Sequence, residues 1–103
     1  MRITIAADVT TDRAWGALDL ARIPDATVRL HWTDQPYHWH VNDGVEVFAV
    51  LDGIVDMHVR TDGSETVHEL RPGIVFTAEV GDEHVAHPRG IARILVIESA
   101  DSE

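Results

Sequence analysis

The stretch YHWHVNDGVEVFAVLDG, residues 37–53, decides how this chain folds. The run Tyr37–Val41 stops at Asn42-Asp43-Gly44, a strong turn signal, and Val45–Leu51 stops at Asp52-Gly53. Two short strands joined by a tight turn make a hairpin. Residues i and i+2 share one face of a strand, so His38 and His40 are expected to point the same way. Glu46, near the start of the second strand, is expected beside His40.

The pattern continues on both sides. Strand-like runs are read at Ala17–Ile23, Ala26–Trp32, Val55–Arg60, Thr66–Leu70, Ile74–Val80, His84–His87 and Ala92–Glu98. Gly, Pro, Asn and Asp separate them. About nine short strands at this spacing imply an all-β barrel or sandwich. One helical turn is expected near Thr11–Gly16, capped by Thr10 or Thr11. Val28, Leu30 and Trp32 are expected to form the buried row of their strand, with His31 facing away.

A chain of 103 residues accommodates one domain, here residues 1–103 with an N-terminal arm (1–16) and a polar tail (99–103). It contains no cysteine, so disulfides and thiolate metal sites are excluded and any metal needs nitrogen and oxygen ligands. Eighteen acidic residues against eight basic ones give a net charge of −10. That charge repels nucleic-acid backbones and anionic membranes. No apolar run approaches a membrane span and no secretory leader is visible, so the expected location is cytoplasmic.

The histidines are the candidate chemistry. His84 follows the Gly81-Asp82-Glu83 turn, far in sequence from His40 and Glu46. Imidazoles and a carboxylate converging from separate strands would make an open site for a divalent transition metal. Each of these histidines taken singly would read as a packing residue. His58, His68 and His87 are expected to face outward, with His58 and His68 pairing across the sheet. Phe48, Val50, Met57, Phe76 and Ala78 are expected to line or floor the cavity. Trp39 is expected to point outward, and Tyr37 to point away from His38 and His40.

Residues 34–88 resemble the two motifs of the cupin superfamily. The first motif has a His-x-His, a glutamate and a glycine seven positions later; Glu46 and Gly53 match its second part. Gly73, then Glu79-Val80-Gly81-Asp82-Glu83-His84, is similar to the second motif. The resemblance is to a small single-domain cupin of the cupin-2 conserved-barrel type, RmlC-like. It implies an antiparallel barrel or jelly roll, and a divalent metal (Fe, Zn, Ni or Mn) held by His38, His40, Glu46 and His84. Counting back from Glu46 puts Asn42 where the second histidine usually stands, so the fourth ligand lies between His38 and Asn42. Asp34 or Trp32 stands in place of the leading glycine, Glu79 in place of a proline and Pro88 in place of an asparagine. The resemblance also implies a homodimer with a small-molecule ligand.

Three functions stay open on these grounds. One is a metal-dependent dioxygenase, isomerase, epimerase or decarboxylase. The second is a non-catalytic ligand-binding or accessory barrel, and the third is a metal-free barrel. Sugar-phosphate chemistry ranks low, because no cluster of Arg lies near the motifs in sequence.

Overall fold

The computed structural model describes residues 1–100. It consists of two antiparallel sheets packed face to face, a jelly-roll barrel. The first contains β1 (Gly16–Ile23), β2 (Ala26–Thr33), β9 (Ala92–Ser99), β4 (Glu46–Asp52) and β7 (Val75–Ala78), in that order. The second contains β3 (His40–Val41), β8 (Glu83–Pro88), β5 (Val55–Thr61) and β6 (Ser64–Leu70). No helix is long and apolar enough to cross a membrane among the described residues.

The turn residues act as their chemistry predicts. Asp62 and Gly63 both adopt positive φ, 51° and 80°, and join β5 to β6 in a two-residue turn. Such turns match the strands' own twist. Gly53 serves a second purpose. A Cβ there would meet the Ile91 carbonyl oxygen at 2.5 Å, so its close backbone approach, as well as its φ of +87°, demands glycine.

The core lies between the sheets. Phe48 and Val50 of β4 meet Val55 and Met57 of β5, together with Leu70, Ala86, Ala92, Ile94 and Val96. Ala78 is also fully buried, and Phe76 packs against this cluster half-buried. Strand register then arranges the inner face of the first sheet into rungs. One runs Thr27, Glu98, Glu46, Ala78; the next runs Arg29, Val96, Phe48, Phe76; the third runs His31, Ile94, Val50.

This register overturns the expected facing of β2. Val28, Leu30 and Trp32 lie on the outer face, and Arg29 and His31 lie on the inner one. The apolar row misleads because the outer face is apolar too: Leu30 pairs with Leu18 and Leu95, and is only 1% exposed. The N-terminal arm lies over part of that face, where Arg93 donates to the Val9 carbonyl.

The expected helical turn at Thr11–Gly16 is absent; the one 3-10 turn among the described residues is Ala6–Asp8. The Thr11 hydroxyl donates instead to the Arg13 carbonyl, and Trp15 takes a left-handed φ of 60°, which no right-handed helix accommodates. The expected tail begins at Ser99, yet Ser99 ends β9 and the Ala100 amide bonds to the Asp25 carbonyl. Residues 101–103 lie outside the described ones.

Two glycines separate the causes of glycine demand. Gly53→Ala adds a backbone overlap to left-handed strain and should cost about 2–4 kcal/mol in urea denaturation. Gly63→Ala, with nothing within 4 Å of its Cβ, should cost only about 1 kcal/mol. Equal losses would show that the contact with Ile91 contributes nothing.

Candidate metal centre

The two sheets contribute different ligands to one place. β3 and β8 pair with His40 directly opposite His84 in the second sheet, and their rings lie 4.3 Å apart. Glu46 opens β4 in the first sheet. One ligand atom from each of His40, Glu46 and His84 lies within 4.8 Å of the other two. Glu46 and His84 are buried and His40 is half-buried. These residues line a cavity of about 160 Å³, with Trp15, Arg29, His31, Tyr37, Phe48, Val96 and Glu98 on its other walls.

Asn42 holds the junction together. Its backbone amide donates to the Asp82 carbonyl, and its own carbonyl accepts from the Gly81 amide. The turn that delivers His84 is thereby clasped to β3. The Asn42 side-chain amide donates to the Gly44 and Ala78 carbonyls, which fixes its orientation. Its Oδ1 then faces His84 Nε2 at 3.0 Å.

His38 sits elsewhere. Regular β3 begins only at His40, so the same-face rule does not extend back to residue 38. The His38 ring is exposed and stacks on Tyr37 at 4.1 Å. Its backbone does contribute, because His40 Nδ1 lies 3.2 Å from the His38 carbonyl oxygen. A carbonyl can only accept, so Nδ1 carries a proton and Nε2 is the atom turned towards the cluster's other donors. Metal-binding histidines are commonly oriented by this kind of partner.

Electrostatics leave the site short of positive charge. Burial pushes the Glu46 carboxyl up to about 8, helped by a hydrogen bond to Glu98 and its charge. Burial and the neighbouring His40 push His84 down to about 4. The 3.8 Å approach of Glu46 to His84 Nε2 is therefore contact between neutral groups near pH 7, and not an ion pair. His84 Nδ1 is buried with no hydrogen-bond partner. A buried acid pair beside the neutral His84 ring fits a divalent cation, which would let Glu46 ionise and would accept imidazole lone pairs.

Glu98 is the functional residue that motif reading missed. It is 9% exposed and lies directly across the ladder from Glu46. Its signal was present in the alternation of β9: Ala92, Ile94, Val96 and Glu98 share one phase, and an acid in an otherwise apolar row needs a reason.

The other expectations divide. Tyr37 lines the cavity instead of pointing away from it. His87 faces outward and lies 4.3 Å from His58. His58 does not pair with His68: Met57 is opposite His68, so the two rings lie on opposite faces. His58 bonds Glu65 instead. Trp39 lies under the Arg60 guanidinium at 3.7 Å. Arg29 approaches the motifs only in space, from a strand that ends before they begin.

Solved structures share this architecture. A cupin-2 domain containing protein from Shewanella frigidimarina is similar with a TM-score of 0.76 and 23% identity, over 86% of this chain and 84% of that one. A cupin superfamily protein from Desulfitobacterium hafniense gives 0.79 and 14%, over 98% and 92%. Hydroquinone 1,2-dioxygenase PnpCD in complex with Fe3+ gives 0.77 and 19%, over 87% of this chain and 29% of that one. No protein-family model and no curated protein matches the sequence. The fold is cupin-type.

In metal-free protein, the raised Glu46 value stabilises the fold fully below pH about 4.5, and this contribution is lost as pH rises towards about 8. Glu98→Gln removes the opposing charge. It should move the Glu46 titration, followed by carboxyl NMR in the presence of a chelator, downward without restoring it to 4.5, because burial is the larger cause. An unmoved titration would show that the two acids do not interact.

Proposed function

We propose that this domain holds a divalent transition metal at His40, Glu46 and His84, and that the adjoining cavity takes a small molecule for oxygenase or isomerase chemistry. The observation that carries the reading is the convergence of these three buried or half-buried side chains from two sheets beside a cavity. Two histidines and one carboxylate with open positions are the donor set of non-haem iron sites, and zinc, nickel and manganese tolerate it too. The iron-bound hydroquinone dioxygenase of like fold supports iron as the first metal to try. When bound, the metal would act as a Lewis acid and present open positions to a ligand.

The protein's own residues would do the rest. His40, oriented by the His38 carbonyl, offers Nε2. Glu46 offers its carboxylate and Glu98 adjusts its protonation. For the fourth ligand we propose Asn42 over His38. The 3.0 Å between Asn42 Oδ1 and His84 Nε2 equals the separation of neighbouring ligand atoms on bonds of about 2.1 Å at right angles. Trp15, Tyr37 and Phe48 make the cavity wall partly aromatic and limit water around a bound molecule. A homodimer belongs to the same proposal, supported by the apolar outer face of the first sheet, where Leu18, Leu51 and Val75 are exposed.

A metal-free binding barrel is the second reading. What favours it is that Asn42 already satisfies His84 Nε2 and Glu98 already partners Glu46 without any ion.

Elemental analysis of untagged protein, reconstituted separately with iron, zinc, nickel and manganese, tells the two apart. The expected result is about one ion per chain, lost in His84→Ala and Glu46→Gln. Absence of metal after every reconstitution selects the metal-free barrel. His38→Ala should retain the ion, whereas Asn42→Ala should weaken binding by about ten- to a hundredfold. The reverse pattern would reinstate His38.

A further inference from the structure

The second rung of the inner sheet places a cation where an acidic protein has little reason to keep one. Arg29, its side chain 41% exposed, lines the cavity that Glu46, Glu98, His40 and His84 also line. Arg29 makes no ion pair with either acid; among the described residues its one ionic partner is Asp19, which takes Nε at 3.0 Å. That contact steers the guanidinium and leaves both terminal nitrogens without a protein acceptor. A guanidinium with a free edge is matched in shape and charge to a carboxylate.

His31 stands two residues along the same strand and shares the inner face. Its Nδ1 lies 3.0 Å from the Trp15 carbonyl oxygen. The carbonyl can only accept, so Nδ1 carries the proton and Nε2 presents a lone pair. Nε2 is the ring atom left to accept a hydrogen bond within the cavity that His31 lines. Burial lowers the His31 pKa, which keeps the ring neutral and the lone pair available.

Around these groups the walls are flat and apolar. Trp15 and Tyr37 meet edge to face at 5.3 Å, and Phe48 lies on the rung of Arg29. A volume of about 160 Å³ corresponds to roughly five waters at about 30 Å³ each, enough for a single small ring. β2 and β4 are two strand spacings apart, roughly 10 Å. A molecule touching Arg29 and facing Glu46 must therefore span a ring and not merely a single functional group.

We propose that the cavity selects a small planar organic acid bearing a hydroxyl group. Its carboxylate pairs with the terminal nitrogens of Arg29, and its hydroxyl donates to His31 Nε2 or turns to the metal centre. This substrate class rests on the cavity of the functional reading above, but the Arg29 subsite is independent of whether a metal is bound. No cluster of Arg lies near the motifs in sequence, but one arginine brought in by the fold suffices for a carboxylate.

The probe is 4-hydroxybenzoate, with 4-hydroxybenzamide as its neutral isostere and benzoate lacking the hydroxyl. Binding is followed by calorimetry on the full chain, both metal-loaded and chelator-treated. The acid should bind about ten- to a hundredfold more tightly than the amide. Arg29→Gln should erase that preference while leaving amide binding and the circular dichroism spectrum unchanged, and Arg29→Lys should restore it in part. Benzoate should bind more weakly than 4-hydroxybenzoate, and His31→Gln should narrow that gap. Acid preference that survives Arg29→Gln overturns the proposal, since the carboxylate would then be held elsewhere, the metal included. Arg29-dependent binding that is identical with and without metal upholds the subsite and puts the hydroxyl on His31 instead of the metal centre. Metal uptake with no Arg29-dependent binding overturns the subsite and leaves the metal reading standing.

Discussion

Everything at the site depends on how Asn42 joins two sheets that share no ladder there. Its backbone clasps the turn before β8, and its side-chain amide reaches across to the Ala78 carbonyl of β7. The ligand set is divided between the sheets, with His40 and His84 on one and Glu46 on the other. Without that clasp, nothing local would hold the imidazoles within 4.8 Å of a carboxylate from a different layer. A residue that reads as a turn former in the sequence is, in the fold, the element that sets the distance between donors.

The inner face of the first sheet then divides the labour by rung. The acid pair Glu46 and Glu98 occupies one rung, where like charges directly opposite each other are costly unless a proton or a cation lies between them. The next rung sets Arg29 against Val96 and Phe48. An acidic rung and a basic one are thus separated by a single side-chain spacing within one cavity, and no ion pair joins Arg29 to Glu46 or Glu98 among the described residues. The pattern gives a bound molecule a polarity before it makes any specific contact.

Much of this was legible in the chain. The turn glycines and aspartates located eight of the nine strands to within a few residues, because positive-φ positions admit few residue types. The convergence of His40, Glu46 and His84 was legible for the same reason: each lies at a fixed offset from such a turn. The facing of β2 was not, since hydrophobicity marks only burial and both faces of that strand are covered. His31 was therefore assigned outward. His38 stands outside the His40, Glu46 and His84 cluster for a different reason. The two-residue period applies only within a strand, and β3 is too short to include it. Glu98 could have been found, but only by asking why an acid keeps phase with Ala92, Ile94 and Val96.

Trp15 gives the cavity a further property. Its φ of 60° is a costly conformation for a bulky residue, by about 1 kcal/mol or more. Three contacts hold it there: its carbonyl takes His31, its indole N–H donates to the Gln35 carbonyl, and its ring packs on Tyr37. This wall is under tension. Replacement of Trp15 by glycine, which takes a positive φ without strain, would remove both the ring and the tension and so slacken the chamber at this wall.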